Sequence, residues 1–170
     1  MKRKIKLIRI EGNIAHVPLT KGHFTQIDAE DTDLIDRYNW QSLIGAKTIY
    51  AKTNIPLPCG KLRSVYMHRL IMRPDDGMHV DHIDGNGINN TKANLRVAHA
   101  WQNMCNIGLP KTNTSGIKGV RLHKPTGKWI AEIGADKKRI YLGLFADKGA
   151  AFAAYVDASR NMHGEFSRLR

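Results

Sequence analysis

Cysteine is nearly missing from this chain: Cys59 and Cys105 are the only two in 170 residues. That is too few for a disulfide framework, and they lack the paired spacing of a zinc ribbon. A reducing compartment follows, and the cytoplasm of a host cell is the expected location. Aromatic residues make up only 7%, which leaves few rings on which single-stranded bases could stack. No apolar run reaches the length of a bilayer span. The opening MKRKIKLIRIEG starts basic, but Arg9 and Glu11 cut it short of a signal peptide. Acidic residues are in deficit as well: 15 Asp and Glu face 27 Lys and Arg, for a formal charge of +12. Such a surplus favours a polyanionic partner over an acidic or neutral small molecule. It is concentrated in the last third, where residues 111–170 carry 12 basic and 5 acidic side chains.

What is present is a succession of short alternating segments. KIKLIRI, NIAHVPLT and HFTQID alternate as strands do, with turns at Gly12-Asn13 and Lys21-Gly22. A helix is expected from Asp31 to Tyr38, followed by strands through WQSLIG, TIYAKTNI and LRSVYMHRLI. MHVDHI then reads as a strand, DGNGINN as a loop and NLRVA as the returning strand. From His99 the period becomes helical, with Trp101, Met104 and Ile107 on one face. GLPKTNTSG, residues 108–116, has no apolar period and reads as a linker. Beyond it, IKGVRLH, KWIAEIG and RIYLGLF form three strands, and a helix runs from about Asp147 to His163, ended by Gly164. Alternation places Val120, Leu122, Trp129, Ala131, Ile133, Ile140 and Leu142 on the face that this helix covers, through Phe152, Tyr155 and Val156.

Four residues carry the chemistry. Asp81 and His82 are adjacent, Asn94 follows His82 by twelve positions, and Asn103 comes nine positions later. Asp81 offers a charged oxygen and Asn103 a neutral one, hard ligands that suit one Mg²⁺ or Mn²⁺ ion better than Zn²⁺. His82 can be neutral at working pH and take a proton from water, while Asn94 braces the loop and the imidazole. That is equipment for phosphodiester hydrolysis. Neighbouring strand residues point to opposite faces, so Asp81 and His82 can share a site only where the strand bends or ends. The Gly85-Asn86-Gly87 loop provides such an end. His68 either abuts this site or is a packed histidine, and a zinc site from Cys59, His68, His99 and Cys105 is set aside.

The stretch Met67–Asn106, with HRLIM, DHIDGN, NN, NLR and QNMCN, resembles the HNH endonuclease family in its phage and intron-encoded, homing form. The resemblance implies that Asp81 and Asn103 bind the metal, His82 is the general base and Asn94 is structural. It departs from the bacterial-toxin branch, in which His fills the last metal position. The segment Ser115–Arg168, with SGIKGVR, GKWIAEI, RIYLGLF, an Ala-rich helix and HGEF, resembles the Apetala/ethylene-response-factor domain, whose sheet lies in the DNA major groove. On the exposed sheet face, Arg121 and Arg139 can donate to guanine, Glu132 can accept from cytosine, and Lys118, Lys128, His123 and Tyr141 complete the surface. His123 and Gly134 stand where that family commonly has Arg, and Tyr141 where it has Trp, so the family's target sequence is not carried over.

The expectation is therefore an α+β chain. A β-rich N-terminal extension (residues 1–66) precedes a ββα-metal (HNH) nuclease core (67–107). A linker (108–116) then joins it to a three-stranded antiparallel sheet plus one helix that binds DNA (117–170). Duplex DNA is the expected partner, with no membrane and no required protein partner, as a monomer or weak dimer in a bacterial host carrying a phage or prophage. Two rivals stay open: a non-catalytic, sequence-specific DNA-binding regulator, and an RNA-binding or RNA-cleaving protein.

Overall fold

The computed structural model describes residues 7–109, 112–135 and 138–169. The start of the KIKLIRI strand, Pro110 and Lys111 of the expected linker, and Asp136 and Lys137 of the expected ADKK turn lie outside these. The described residues are mixed α and β, with four small antiparallel sheets among them, and the chain divides into two compact units between Ala98 and His99.

The N-terminal unit begins with a meander of β1 (Arg9–Glu11), β2 (Ile14–Pro18) and β3 (Phe24–Asp28). Alternation in β2 buries Ala15 and Val17 and leaves their neighbours half-buried, as a one-sided sheet requires. The helix expected over Asp31–Tyr38 is one turn, α1 (Thr32–Ile35). The indole of Trp40 donates to the Ile35 carbonyl at the end of this turn, at 2.9 Å. A second meander follows: β4 (Gln41–Ile44), β5 (Ile49–Pro56) and β6 (Leu62–Tyr66). The strand expected through LRSVYMHRLI ends at Tyr66, and Met67–Met72 is a short helix, α2. Met67 and Ile71, one helical turn apart, are buried. Arg73, at φ 44°, closes α2 in the left-handed region. The hairpin of β7 (His79–His82) and β8 (Leu95–Ala98) completes the unit, in the register Asp81↔Arg96 and His82↔Leu95. One hydrophobic core joins β2, β3, α1, β5, α2 and the hairpin: Ala15, Val17, Ile27, Ile35, Trp40, Ala51, Met67, Ile71, Val80 and Leu95 pack together. The hairpin thus shares its core with the residues that precede it.

The C-terminal unit holds a short helix, α3 (Ala100–Cys105), and a meander of β9 (Val120–His123), β10 (Lys128–Ala135) and β11 (Lys138–Phe145). A 16-residue helix, α4 (Lys148–His163), covers the sheet. Asp147 caps α4 by accepting from the Ala150 amide at 2.9 Å, and Gly164, at φ 54°, ends it. The covering stripe is Ala151, Tyr155, Ser159 and His163, spaced four apart, rather than the expected Phe152 and Val156. Against it pack Val120, Ala131 and Ile133. Leu122 and Ile140, expected under the helix, are 45% and 36% exposed, because one helix cannot cover three strands to their ends. Gly119 is required where it stands: at φ 70°, a Cβ would lie 2.2 Å from the Tyr155 ring. The expected apolar face of α3 is exposed at Trp101, Met104 and Ile107, whereas Cys105 and the next residue, Asn106, are buried.

Candidate active site

The strand β7 ends at His82, whose carbonyl accepts from the Gly85 amide at 2.8 Å to turn the chain. Asp81 and His82 are both buried, the carboxylate engaged with Arg96 across the hairpin and the imidazole with Asn90. The loop that follows is strapped rather than loose. Asn94 donates to Asp84 Oδ1 at 2.9 Å and to the Asn89 carbonyl at 2.8 Å, and accepts from the Asp84 amide at 3.0 Å. Asn94 thereby ties the two ends of the loop together. Asp84 feels burial first, which raises its pKa. The bonds from Asn86, Asn89 and Asn94 outweigh that and hold its carboxyl below the usual range.

A second strap comes from the N-terminal meander. The edge of β3 pairs with the loop through Gln26, whose amide donates to the Ile88 carbonyl at 2.9 Å and whose carbonyl accepts from the Asn90 amide at 2.8 Å. Asp28 Oδ2 accepts from the Lys92 amide at 2.7 Å. Between them, the Thr25 hydroxyl donates to the Ile88 carbonyl at 2.7 Å. The fully buried Asn90 bridges Thr25 Oγ1, at 2.7 Å, and His82 Nε2, at 3.2 Å. His82 is therefore held through a residue more than fifty positions upstream.

Its ring also sits in an aromatic cluster. His68, on α2, meets it edge-on with centroids 4.9 Å apart, and Tyr50 lies 6.0 Å away. Tyr66 stacks on His68 at 5.4 Å. Burial lowers the pKa of His82, against the Asn90 bond and the nearby Asp84 and Asp81 charges. Burial, then the His82 and Arg69 charges, pushes His68 down to about 3. Both imidazoles are thus biased towards the neutral form. Gly87 lets the loop lie against this cluster, for a Cβ there would meet the Ile49 carbonyl at 2.5 Å and the Tyr50 ring at 2.6 Å.

Asp81 is engaged on the cross-strand side, where Oδ2 accepts from Arg96 Nε at 2.9 Å and from a terminal guanidinium nitrogen at 2.7 Å. The pair is buried, at 6% and 11% side-chain exposure, so each charge compensates the other out of water. Asn103 lies in the other unit, half-buried on α3, with its backbone N–H donating to the His99 carbonyl at 3.1 Å. Among the described residues, no group of three or more His, Cys, Asp and Glu side chains gathers that could hold a metal ion.

Of the residues expected to read DNA, Arg121 and Arg139 flank Glu132, at 3.5 and 3.2 Å from the same Oε1. Tyr141 pairs with Glu132 across the strands and is 61% exposed, and Lys128 lies exposed at the start of β10. His123 Nδ1 contacts the Thr126 hydroxyl at 2.8 Å in the β9–β10 turn. Lys118 is occupied within the fold, its ammonium donating to the carbonyls of Cys105, at 2.6 Å, and Ile107, at 2.8 Å, at the end of α3.

The sequence reading missed Thr25, Asn90 and Arg96. Asn90 was visible only as half of an Asn pair. Arg96 could have been found from the hairpin register, which sets it opposite Asp81. Thr25 carried no local signal, because its contact spans 65 positions to Asn90.

No protein-family model matches the chain, and no solved structure matches it. Among curated proteins, one named "Uncharacterized HNH endonuclease L560", from Acanthamoeba polyphaga mimivirus, is 32% identical over 108 residues, or 59% of this chain. The matched region spans half of that protein's length. "Protein 3.8" of Escherichia phage T7 is 36% identical over 94 residues, which are 55% of this chain and 77% of the phage protein. With that identity over that share of the relative, this chain belongs to the family of the phage T7 Protein 3.8.

Proposed function

We propose that the chain is a metal-dependent endonuclease of the HNH type, hydrolysing phosphodiester bonds in duplex DNA as a site-preferring nicking or homing enzyme. The observation that carries this reading is the end of β7. There a buried imidazole, held by Asn90, follows a buried carboxylate in the chain, where β7 enters a loop pinned from both sides. The name of the giant-virus relative supports the same class.

Asp81 and Asn103 would hold Mg²⁺ or Mn²⁺, which when bound stabilises charge on a non-bridging oxygen and on the departing 3′ oxygen. His82 takes the proton from the attacking water, a role for which burial keeps it neutral. Asn94 fixes the loop that fixes His82. Arg96 compensates the Asp81 charge within the hairpin. In the C-terminal unit, the Glu132 carboxylate orients Arg121 and Arg139 on the exposed sheet face, as bidentate base readout demands. Lys128, His123 and Tyr141 contact backbone beside them. A phosphate contact by Lys118 would require it to release the α3 carbonyls.

The Asp81–Arg96 pair is the observation that favours the alternative, a DNA-binding protein whose hairpin is only scaffold. Incubating supercoiled plasmid with the protein and Mg²⁺, with and without EDTA, separates the two. Conversion to open-circular or linear DNA that EDTA abolishes is the expected result. Plasmid that is bound but stays intact at every Mg²⁺ or Mn²⁺ concentration refutes the nuclease reading.

A further inference from the structure

The hydrogen bonds that run from β3 to His82 have a direction, and the direction selects one form of the imidazole. The Thr25 hydroxyl has a single proton, and it lies 2.7 Å from the Ile88 carbonyl, which can only accept. Towards Asn90, also at 2.7 Å, Thr25 Oγ1 must therefore accept, so the amide nitrogen of Asn90 faces it. The Gly87 carbonyl, 3.5 Å from the same nitrogen, is a second acceptor and agrees with this orientation. The amide oxygen of Asn90 is then left facing His82 Nε2 at 3.2 Å. An amide oxygen accepts only, so Nε2 carries the proton. Thr25 is 1% exposed, Asn90 fully buried and His82 6% exposed, so water does not readily substitute in this chain.

We propose that Asn90 and Thr25 are positioning residues that fix the tautomer of His82, with the proton on Nε2 and the lone pair on Nδ1, the atom that takes the proton from water. The proposal rests on the reading of His82 as the general base. It gives the N-terminal meander a part in the chemistry: β3 acts on the imidazole through one amide, without touching substrate. A reversed Asn90 would set its NH₂ group against Nε2 and drive the proton to Nδ1, where the ring could not act as a base. The Thr25 hydroxyl is what opposes that reversal.

The test is nitrogen NMR of ¹⁵N-histidine-labelled full-length protein in the neutral imidazole range, with His82 assigned by comparison with His82→Gln. In the wild type, Nε2 is expected to resonate as a protonated ring nitrogen and Nδ1 as an unprotonated one. Thr25→Val, which keeps the shape and removes the hydroxyl, moves both signals towards each other. It also lowers kcat by roughly ten- to a hundredfold, part of what a general base contributes, with KM for DNA unchanged. Thr25→Ser restores both readouts. A wild-type His82 protonated on Nδ1 overturns the proposal without recourse to any variant, and so does a folded Thr25→Val protein whose His82 signals do not move. The spectra need no substrate, so absence of cleavage by the wild type would sink the nuclease reading while leaving the tautomer assignment to stand or fall alone.

Discussion

Arg96 is the side chain on which Asp81 depends. Two guanidinium nitrogens of Arg96 meet the same Asp81 oxygen, and neither partner is open to solvent. Removing one member of a buried pair costs far more than the pair contributes, because the remaining charge keeps its desolvation penalty. Arg96→Ala is expected to lower stability by about 3 kcal/mol, read as a shifted urea midpoint at constant slope; an unchanged midpoint would show the pair to be dispensable. His68 supplies a second test at this scale. Its pKa in the folded protein, about 3, lies below the ordinary value of 6.5. The unfolded chain therefore binds an extra proton between those limits, and this contribution to stability is complete above pH 6.5 and declines as pH falls towards 3. The slope from this one group is about 1.4 kcal/mol per pH unit within that window. Urea unfolding at pH 7 and pH 5 should show the loss, and His68→Phe should reduce it. Equal pH dependence in the variant would mean that His68 is not held neutral by burial.

The loop between β7 and β8 works as an element because three parts of the chain grip it: Asn94 from its own end, β3 from one side and Tyr50 from another. Gly87 is where Tyr50 and the β5 backbone come closest. Gly87→Ala puts a methyl against a carbonyl oxygen that cannot swing away, and about 1–3 kcal/mol of destabilisation is expected. Thermal melting measures it, and a variant as stable as the wild type would show that the loop is free to shift. Much at this scale was legible in the sequence. The alternation in MHVDHI and NLRVA marked the hairpin, and Asp147 and Gly164 bounded α4, because these signals are local. The run through LRSVYMHRLI was not separable, since an apolar stretch whose helical spacing begins at Met67 still reads as strand. The second strap was beyond reach, as β3 and the loop pair across more than sixty positions. The stripe on α4 was misread because small residues, Ala151 and Ser159, line it in place of the larger Phe152 and Val156.

For the whole molecule, composition pointed towards nucleic acid, and the arrangement explains how such a small chain could hold a rigid site. The N-terminal unit has a single core, so the residues before the hairpin are the wall against which it is built. That joining was illegible, because each early strand taken alone carries no chemistry. The burial of Asp81, His82 and Asn94 could not be read from their spacing, because it depends on the contacts of the loop with β3 and β5. The measurement that bears most directly on the central claim is single-turnover cleavage of duplex DNA by His82→Ala, at saturating protein and with Mg²⁺. DNA affinity and folding are monitored alongside. The account predicts a rate lower by roughly 10²- to 10⁴-fold with affinity unchanged; cleavage within a few-fold of the wild type would contradict it.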